Sequence, residues 1–140
     1  MKRKRRNQLG ISLVEVLGGL TIFSVVASGL ATSTVATMRS NKMSRNTGAA
    51  AALIQDKIEQ FRALDPTTNP AELTAGSHSD ANNPVTALGA AGGSYTRSWT
   101  VTANTPQQGL SEVVVTVSWS SPSTRTLTGV AYVCSTSTCS

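Results

Sequence analysis

The chain has 140 residues and a formal charge of +5, and the excess positive charge lies at the N-terminus. Lys2–Arg6 supplies five of the twelve Lys and Arg residues, and the other seven are balanced by seven Asp and Glu residues. The basic character therefore belongs to the first ten residues and gives no support to nucleic-acid binding. Outside the apolar N-terminal region the chain is long enough for one small folded domain only.

Residues 1–10 form a basic leader ending at Gly10, and residues 11–38 form an apolar run of 28 residues in which Glu15 is the only charge. About 20 apolar residues are enough for an α-helix to cross a bilayer. We therefore predict a transmembrane helix over residues 11–38. The cluster of Lys and Arg before it predicts a cytoplasmic N-terminus and a C-terminal domain on the other side.

Residues 39–64 continue the helix with an amphipathic pattern. Apolar residues recur at a spacing of three to four: Ala50, Leu53, Ile54, Ile58, Phe61 and Leu64. Glu59 and Arg62 are spaced for an i,i+3 ion pair on the polar side. The helix should end at Asp65-Pro66, because the residue before a proline is disfavoured in the α region. The whole helix would be about 80 Å long at 1.5 Å per residue.

Residues 65–93 are rich in Pro, Gly, Asn, Ser and Thr and predict a long connecting loop, with a short helical turn around Val85–Ala90. Residues 94–140 change to a period of two, which predicts β-strands. Alternating stretches run over Tyr95–Ala103, Val113–Trp119 and Leu127–Val133. We predict an α+β fold in which the long N-terminal helix packs on a small antiparallel sheet of three to four strands.

The apolar face of this sheet needs a partner, and the helix stripe supplies it. We therefore expect Trp99 and Trp119 to pack on Phe61 and Ile58. The two cysteines, Cys134 and Cys139, lie five positions apart near the C-terminus. In an exported chain their pairing into a small disulfide loop is favoured over two unpaired thiols.

Candidate functional residues are few. Small residues in the apolar run, which would let helices approach closely, recur at a spacing of three to four: Ser24, Ala27, Ser28, Ala31 and Thr32. Plain Ala and Ser content is an equally good explanation of this stripe. His78 is predicted to be a solvated loop residue. The sequence offers no phosphate loop, no carboxylate pair in the soluble part and no metal-ligand cluster, so we predict neither catalysis nor a metal or cofactor.

Glu15 is the anomaly of the apolar run. An acid near the centre of a bilayer costs about 2.5–3.5 kcal/mol on insertion scales, so it marks a functional site by default. A cation one turn away on the same helix face would be its natural partner. Such a pair, within one chain or between neighbouring chains, could offset the cost. The alternative is an acid that is tolerated close to the membrane surface.

The residues Gly10, Ile11-Ser12-Leu13-Val14, Glu15 and Val16-Leu17 resemble the processing site of type IV prepilins and pseudopilins. Residues 52–64 resemble the minor-pilin branch, of the PilV or general-secretion-pathway I type. The resemblance implies that prepilin peptidase, a membrane aspartyl peptidase, cuts between Gly10 and Ile11 and methylates the new amine of Ile11. That amine would lie four residues before Glu15 on the same helix face and would be its cationic partner. The family usually has Phe at the first mature position, so Ile11 is a departure. Major pilins often have proline where this chain has Thr32, which favours a minor pilin or pseudopilin.

The resemblance also implies partners and location: an inner-membrane precursor with a periplasmic C-terminus, an inner-membrane assembly platform, and other pilins in a helical filament at the cell surface. Minor type IV pilin is the leading interpretation, with a type II secretion or competence pseudopilin as the alternative. A secreted binding domain whose signal peptide ends at Ala31 is an alternative of another class, as is a single-pass protein that keeps its leader. The sequence does not distinguish a pilus, a secretion pseudopilus and a competence apparatus. It also leaves open the position in a tip complex, an adhesin role and glycosylation.

Overall fold

The computed structural model describes residues 12–65, 68, 70–121 and 123–134. Its elements in chain order are the helix α1 (Leu13–Ala63), a 3₁₀ turn (Ala71–Leu73) and four strands: β1 (Gly76–Ser79), β2 (Tyr95–Ala103), β3 (Leu110–Ser120) and β4 (Thr124–Cys134). The strands are antiparallel neighbours in the order β1-β2-β3-β4. The predicted α+β architecture, one long helix with a small antiparallel sheet, is confirmed. The chain divides into two compact units, Met1–Asn41 and Lys42–Ser140.

In the first unit, the part of α1 from Leu13 to Met38, here called the apolar half, is exposed along its entire length. Its large apolar side chains keep between 49% and 75% of their surface accessible. A single helix with exposed apolar residues on every side needs an apolar medium or other helices around it. Of the described helices, α1 alone is long and apolar enough to cross a membrane.

In the second unit, the amphipathic part of α1 buries its predicted stripe. Ala50, Leu53, Ile54, Ile58 and Phe61 are all at most 5% exposed. Leu64, the last predicted member, lies just after the helix and is half-buried against the same core. The helix ends at Ala63, and the Leu64 N–H donates to the Phe61 carbonyl at 3.3 Å in a closing turn. The predicted Glu59–Arg62 pair is present at 2.8 Å.

The sheet buries one face against this stripe and leaves the other face open. On β3, Val113, Val115 and Val117 have no accessible surface, whereas the intervening residues are partly exposed. Ala131 and Val133 continue the buried face onto β4. The period of two in the sequence therefore identified which side chains form the core.

The predicted contact between Trp99 and Phe61 is confirmed, and the ring of Trp119 contacts a second aromatic residue of the core. Trp99 meets Phe61 edge-on, with the ring centroids 5.5 Å apart. The ring of Trp119 lies against Tyr95, its cross-strand partner, at 6.2 Å. Trp119 is paired with the first residue of β2, whereas Trp99 is four residues further along that strand, so the two rings occupy different parts of the core.

Residues 65–93 contain more structure than the predicted loop. A 3₁₀ turn and β1 lie within them, and β1 pairs with β2 through the His78–Trp99 register. The sequence of β1, Gly76-Ser-His-Ser79, has no apolar alternation and so carries no strand signal. The helical turn predicted around Val85–Ala90 is instead a tight reversal, closed by the Thr86 N–H donating to the Ala90 carbonyl at 2.6 Å.

This reversal inserts Val85 into the core, where it has no accessible surface. Val85 and Tyr95 exchange two backbone hydrogen bonds, of 2.7 and 3.1 Å. Gly93 passes so close to the Val85 carbonyl that a Cβ atom there would overlap it. Glycine at position 93 is therefore required by close approach of two backbone segments.

Candidate functional site

Gly10 and Ile11, the predicted processing site, lie outside the described residues, and the described chain begins immediately after them. Ser12 precedes the first helical residue, and its carbonyl accepts hydrogen bonds from the N–H groups of Glu15 at 2.9 Å and Val16 at 3.2 Å. Glu15 is exposed and lies in the first turn of α1. Its predicted pairing with an amine on Ile11 stays a prediction.

The position of Glu15 has a local explanation that the sequence analysis missed. Ser12 and Glu15 stand at the N-cap and third helical positions, the spacing of a capping box. A carboxylate in the first turn also interacts favourably with the helix dipole, by about 0.3–1 kcal/mol at exposed sites. The interaction with the helix dipole reduces the cost of the acid, but it is smaller than the cost of placing a charge in hydrocarbon.

The small-residue stripe lies on the exposed surface of the apolar half of α1, and its hydroxyl groups bond to their own helix. Ser24 donates to the Leu20 carbonyl and Ser28 to the Ser24 carbonyl, both at 2.8 Å. Thr32 donates to the Gly29 carbonyl at 2.9 Å. Because these donors are satisfied within the helix, the stripe presents small side chains rather than unpaired polar groups.

A second cluster of polar side chains lies in the second unit and is built around Arg97. The Arg97 side chain is 5% exposed, and its Nη1 donates to the Asp56 carboxylate at 3.0 Å and to the Leu53 carbonyl at 3.1 Å. On its other side, Nε and Nη2 donate to the Asp80 carboxylate at 2.8 and 2.6 Å. Asn83 accepts from the Arg97 N–H and donates to its carbonyl. We call this set the Arg97 network.

Lys57, which lies on α1, is a second buried cation beside Arg97 of β2. Its side chain is 5% exposed, and its Nζ donates to the Glu72 carboxylate at 2.9 Å. The same ammonium lies 4.3 Å from the centroid of the Trp99 ring and 4.9 Å from that of Phe61. Cation–π attraction therefore supplements the single ion pair that holds this buried charge.

Asp56 and Asp80 both bind Arg97, each through a different part of its guanidinium group. A polar groove of about 370 Å³ opens beside the Arg97 network and Lys57. Among the described residues, every buried side-chain N or O atom has a hydrogen-bond partner. Two buried cations here face three carboxylates, and the arrangement joins α1, the loop at Asp80 and β2.

His78 is also placed differently from the prediction. It lies on β1 rather than in a loop, is half-buried, and stacks its ring on Trp99 at 5.7 Å with an interplanar angle of 14°. Its Nε2 donates to the Thr74 carbonyl at 2.8 Å. Within the described part of the chain no group of three or more His, Cys, Asp and Glu side chains is arranged to hold a metal ion.

The sequence analysis missed Lys57 and Arg97 as buried charges, although both carried a signal. Lys57 is four residues after Leu53 and three after Ile54, so it falls inside the apolar stripe. Arg97 alternates with Tyr95 and Trp99 and so faces the core. A cation at a core-facing position requires a carboxylate partner. That partner could not be assigned from spacing alone.

Because of the Arg97 network, the free energy of unfolding should decrease at low pH. Burial alone would raise the pKa of Asp80, but the Asn82 N–H, the hydrogen bonds from Arg97 and the charges of Arg97 and Lys57 together hold it below its usual value of 3.8. The contribution of ionised Asp80 is therefore fully present above pH 3.8 and is lost as the pH falls through the lower folded-state pKa. Urea unfolding of the full chain in detergent, followed by tryptophan fluorescence, should show this decline. In the Asp80→Asn variant the free energy of unfolding should fall less steeply with decreasing pH than in the wild type. Equal pH dependence in the two proteins would contradict a stabilising role of ionised Asp80.

Cys134 is the last residue of β4 and is half-buried, and Cys139 lies outside the described residues. Their predicted disulfide stays a prediction.

Comparison with known protein families places a motif at the N-terminal end of the chain. Residues 5–31 match the family model of the prokaryotic N-terminal methylation motif. Neither the curated proteins nor the solved structures give a match. The matched stretch includes the last six residues of the leader, Ile11, Glu15 and the apolar half of α1 as far as Ala31. It supports a type IV pilin-like prepilin, a structural subunit processed by prepilin peptidase and assembled with other pilins.

Proposed function

We propose that this chain is a minor type IV pilin, incorporated into a pilus or priming its assembly. The observation that carries the proposal is the methylation motif over residues 5–31, which overlaps a long helix whose apolar half is exposed along its length. Prepilin peptidase would cut between Gly10 and Ile11 and methylate the Ile11 amine. Thr32, in place of the proline common in major pilins, supports a minor pilin or a pseudopilin over a major pilin.

The precursor would be a single-pass protein of the inner membrane. The cluster Lys2–Arg6 would remain on the cytoplasmic side, and the sheet domain would lie in the periplasm, where a disulfide between Cys134 and Cys139 can form. After cleavage the subunit would pass through the inner-membrane assembly platform into the filament. Roles in twitching motility and cell adhesion would follow from membership of a pilus.

In the filament, Glu15 would pair with the amine of Ile11, either its own or that of the neighbouring subunit. A pair between Glu15 and the Ile11 amine of the neighbouring subunit would set the axial stagger between subunits. The stripe that includes Ser24, Ser28 and Thr32 would face adjacent helices, since small side chains permit close approach in apolar surroundings. The internal bonding of the three hydroxyls supports packing by shape rather than by hydrogen bonds between helices.

The alternative is a type II secretion or competence pseudopilin, which would use the same leader, the same helix and the same assembly chemistry. The distinction depends on the machine that takes up the subunit. Recovery of the chain from sheared surface pili would support the pilus. Recovery only from the periplasm and membrane of secreting or competent cells would support the pseudopilus.

The N-terminus of the chain isolated from membranes tests the shared part of both proposals. Mass spectrometry should find a chain that begins at Ile11 and carries one methyl group, about 14 Da heavier than the unmodified species. A peptidase-deficient strain should retain Met1–Gly10. A mature chain beginning at Thr32 would instead identify a secreted domain with an ordinary signal peptide, and a retained leader in peptidase-positive cells would contradict processing.

A further inference from the structure

Three cations follow the apolar half of α1 directly. Arg39, Lys42 and Arg45 are exposed, and the last large apolar side chain before them, Met38, is 65% exposed. No acid occurs in the sequence between Glu15 and Asp56. We call these three residues the basic band.

The basic band has a defined geometry on the helix. Successive members are three residues apart, so on a helix of 3.6 residues per turn they fall within about 120° of its circumference and about 9 Å of its length. Within the described residues, none of the three forms an ion pair, in contrast to Lys57, Arg62 and Arg97. The band therefore presents three cations, without neutralising acids, on one side of α1.

The positive-inside bias does not account for this charge. If the N-terminus is cytoplasmic, as proposed above, the basic band emerges on the opposite side of the membrane. The apolar half, from Leu13 to Met38, has a length of about 39 Å at 1.5 Å per residue, which exceeds a hydrocarbon core of about 30 Å. The turn that carries the band then lies at the level of the lipid headgroups, where anionic phosphates supply the opposite charge.

We propose that Arg39, Lys42 and Arg45 bind the headgroups of anionic phospholipids at the outer boundary of the membrane and thereby fix the depth of α1 before assembly. The inference rests on the proposed membrane-anchored function. A Lys or Arg near an anionic surface strengthens binding by about fivefold. The band would also have to release these lipids when the subunit enters a filament, so its charge would set part of the barrier to extraction from the membrane.

The test compares the full chain in phosphatidylcholine bilayer discs with and without about one third phosphatidylglycerol. Hydrogen exchange of peptides covering residues 36–47 gives a local measurement that the basic leader does not dominate. In the wild type, exchange of these amides should slow at least threefold, an order-of-magnitude expectation, when the anionic lipid is present. The variant Lys42→Gln/Arg45→Gln should lose most of this difference. Added salt should reduce the difference in the wild type.

The matched control is Arg62→Gln/Arg125→Gln, which removes two cations outside the band and should retain the wild-type response. The proposal is overturned if phosphatidylglycerol has no effect on residues 36–47, or if the Lys42/Arg45 variant responds like the wild type. It is also overturned if the amides of residues 36–47 exchange equally slowly without anionic lipid and exchange more slowly as the number of chains per disc rises. That result would indicate contact between copies. Free exchange of residues 13–38 in bilayers would instead contradict the membrane-anchored function itself.

Discussion

Replacing Arg97 with methionine should lower the free energy of unfolding of the sheet domain by about 3–5 kcal/mol, the range for removing one partner of a buried ion pair. Methionine fills similar space and has no charge, so the loss comes chiefly from the carboxylates left behind. Asp80, whose side chain is only 8% exposed, would lose its guanidinium partner, and the Leu53 carbonyl would lose a donor. Urea unfolding of the full chain in detergent, monitored by tryptophan fluorescence, measures the change.

Two further variants separate the buried network from charge removal in general. Arg62→Met breaks the exposed pair with Glu59, whose side chains are 57% and 63% exposed, and should change stability by no more than about 0.5 kcal/mol. Adding Asp80→Asn to Arg97→Met removes the buried unpaired charge and should recover part of the loss. An Arg97→Met variant that is as stable as Arg62→Met would show that the network contributes little.

Replacing Glu15 with alanine should leave cleavage after Gly10 intact and reduce incorporation into filaments by about tenfold or more. Two unit charges 4 Å apart attract by about 4 kcal/mol at an effective dielectric of 20, and a loss of 1.4 kcal/mol is already a tenfold change. The loss of the favourable helix-dipole interaction alone is about 0.3–1 kcal/mol and could not account for a larger decrease. Quantitative mass spectrometry of sheared filaments, relative to the membrane pool, measures incorporation.

Glu59→Ala is the matched control, because it removes an exposed acid from the same helix but outside the apolar half. It should be processed and incorporated like the wild type. The N-terminal residue of each variant must be determined in the same samples, so that a processing defect is not taken for an assembly defect. Normal incorporation of Glu15→Ala would refute the pairing role of this acid.

The elements of the fold that could be predicted are those in which a periodic pattern meets a single environment. One such pattern is the helix stripe from Ala50 to Phe61, and another is the alternation of Val113, Val115 and Val117. Each corresponds to a single buried face, and the structure places these residues in the core. The end of α1 before Pro66 could be predicted because proline restricts the residue before it. The N-terminal motif could be recognised because its residues are contiguous.

The remaining features depend on contacts between distant residues. Nothing local in Gly76-Ser-His-Ser79 indicates a strand, since β1 exists through its pairing with β2. Asp80 is 17 residues from Arg97 along the chain and Asp56 is 41, so their shared guanidinium could not be inferred from spacing. The burial of Val85 likewise follows from its two backbone bonds to Tyr95.

The hydroxyl groups of Ser24, Ser28 and Thr32 bond to carbonyl groups of their own helix. A helix that satisfies its polar groups in this way has the same internal bonding whether acyl chains or other helices surround it. Transfer from one environment to the other then exchanges only van der Waals neighbours, with no hydrogen bond broken on the way. For these groups, the balance between the lipid and the helix-packed environment would depend on how closely the neighbouring helices fit.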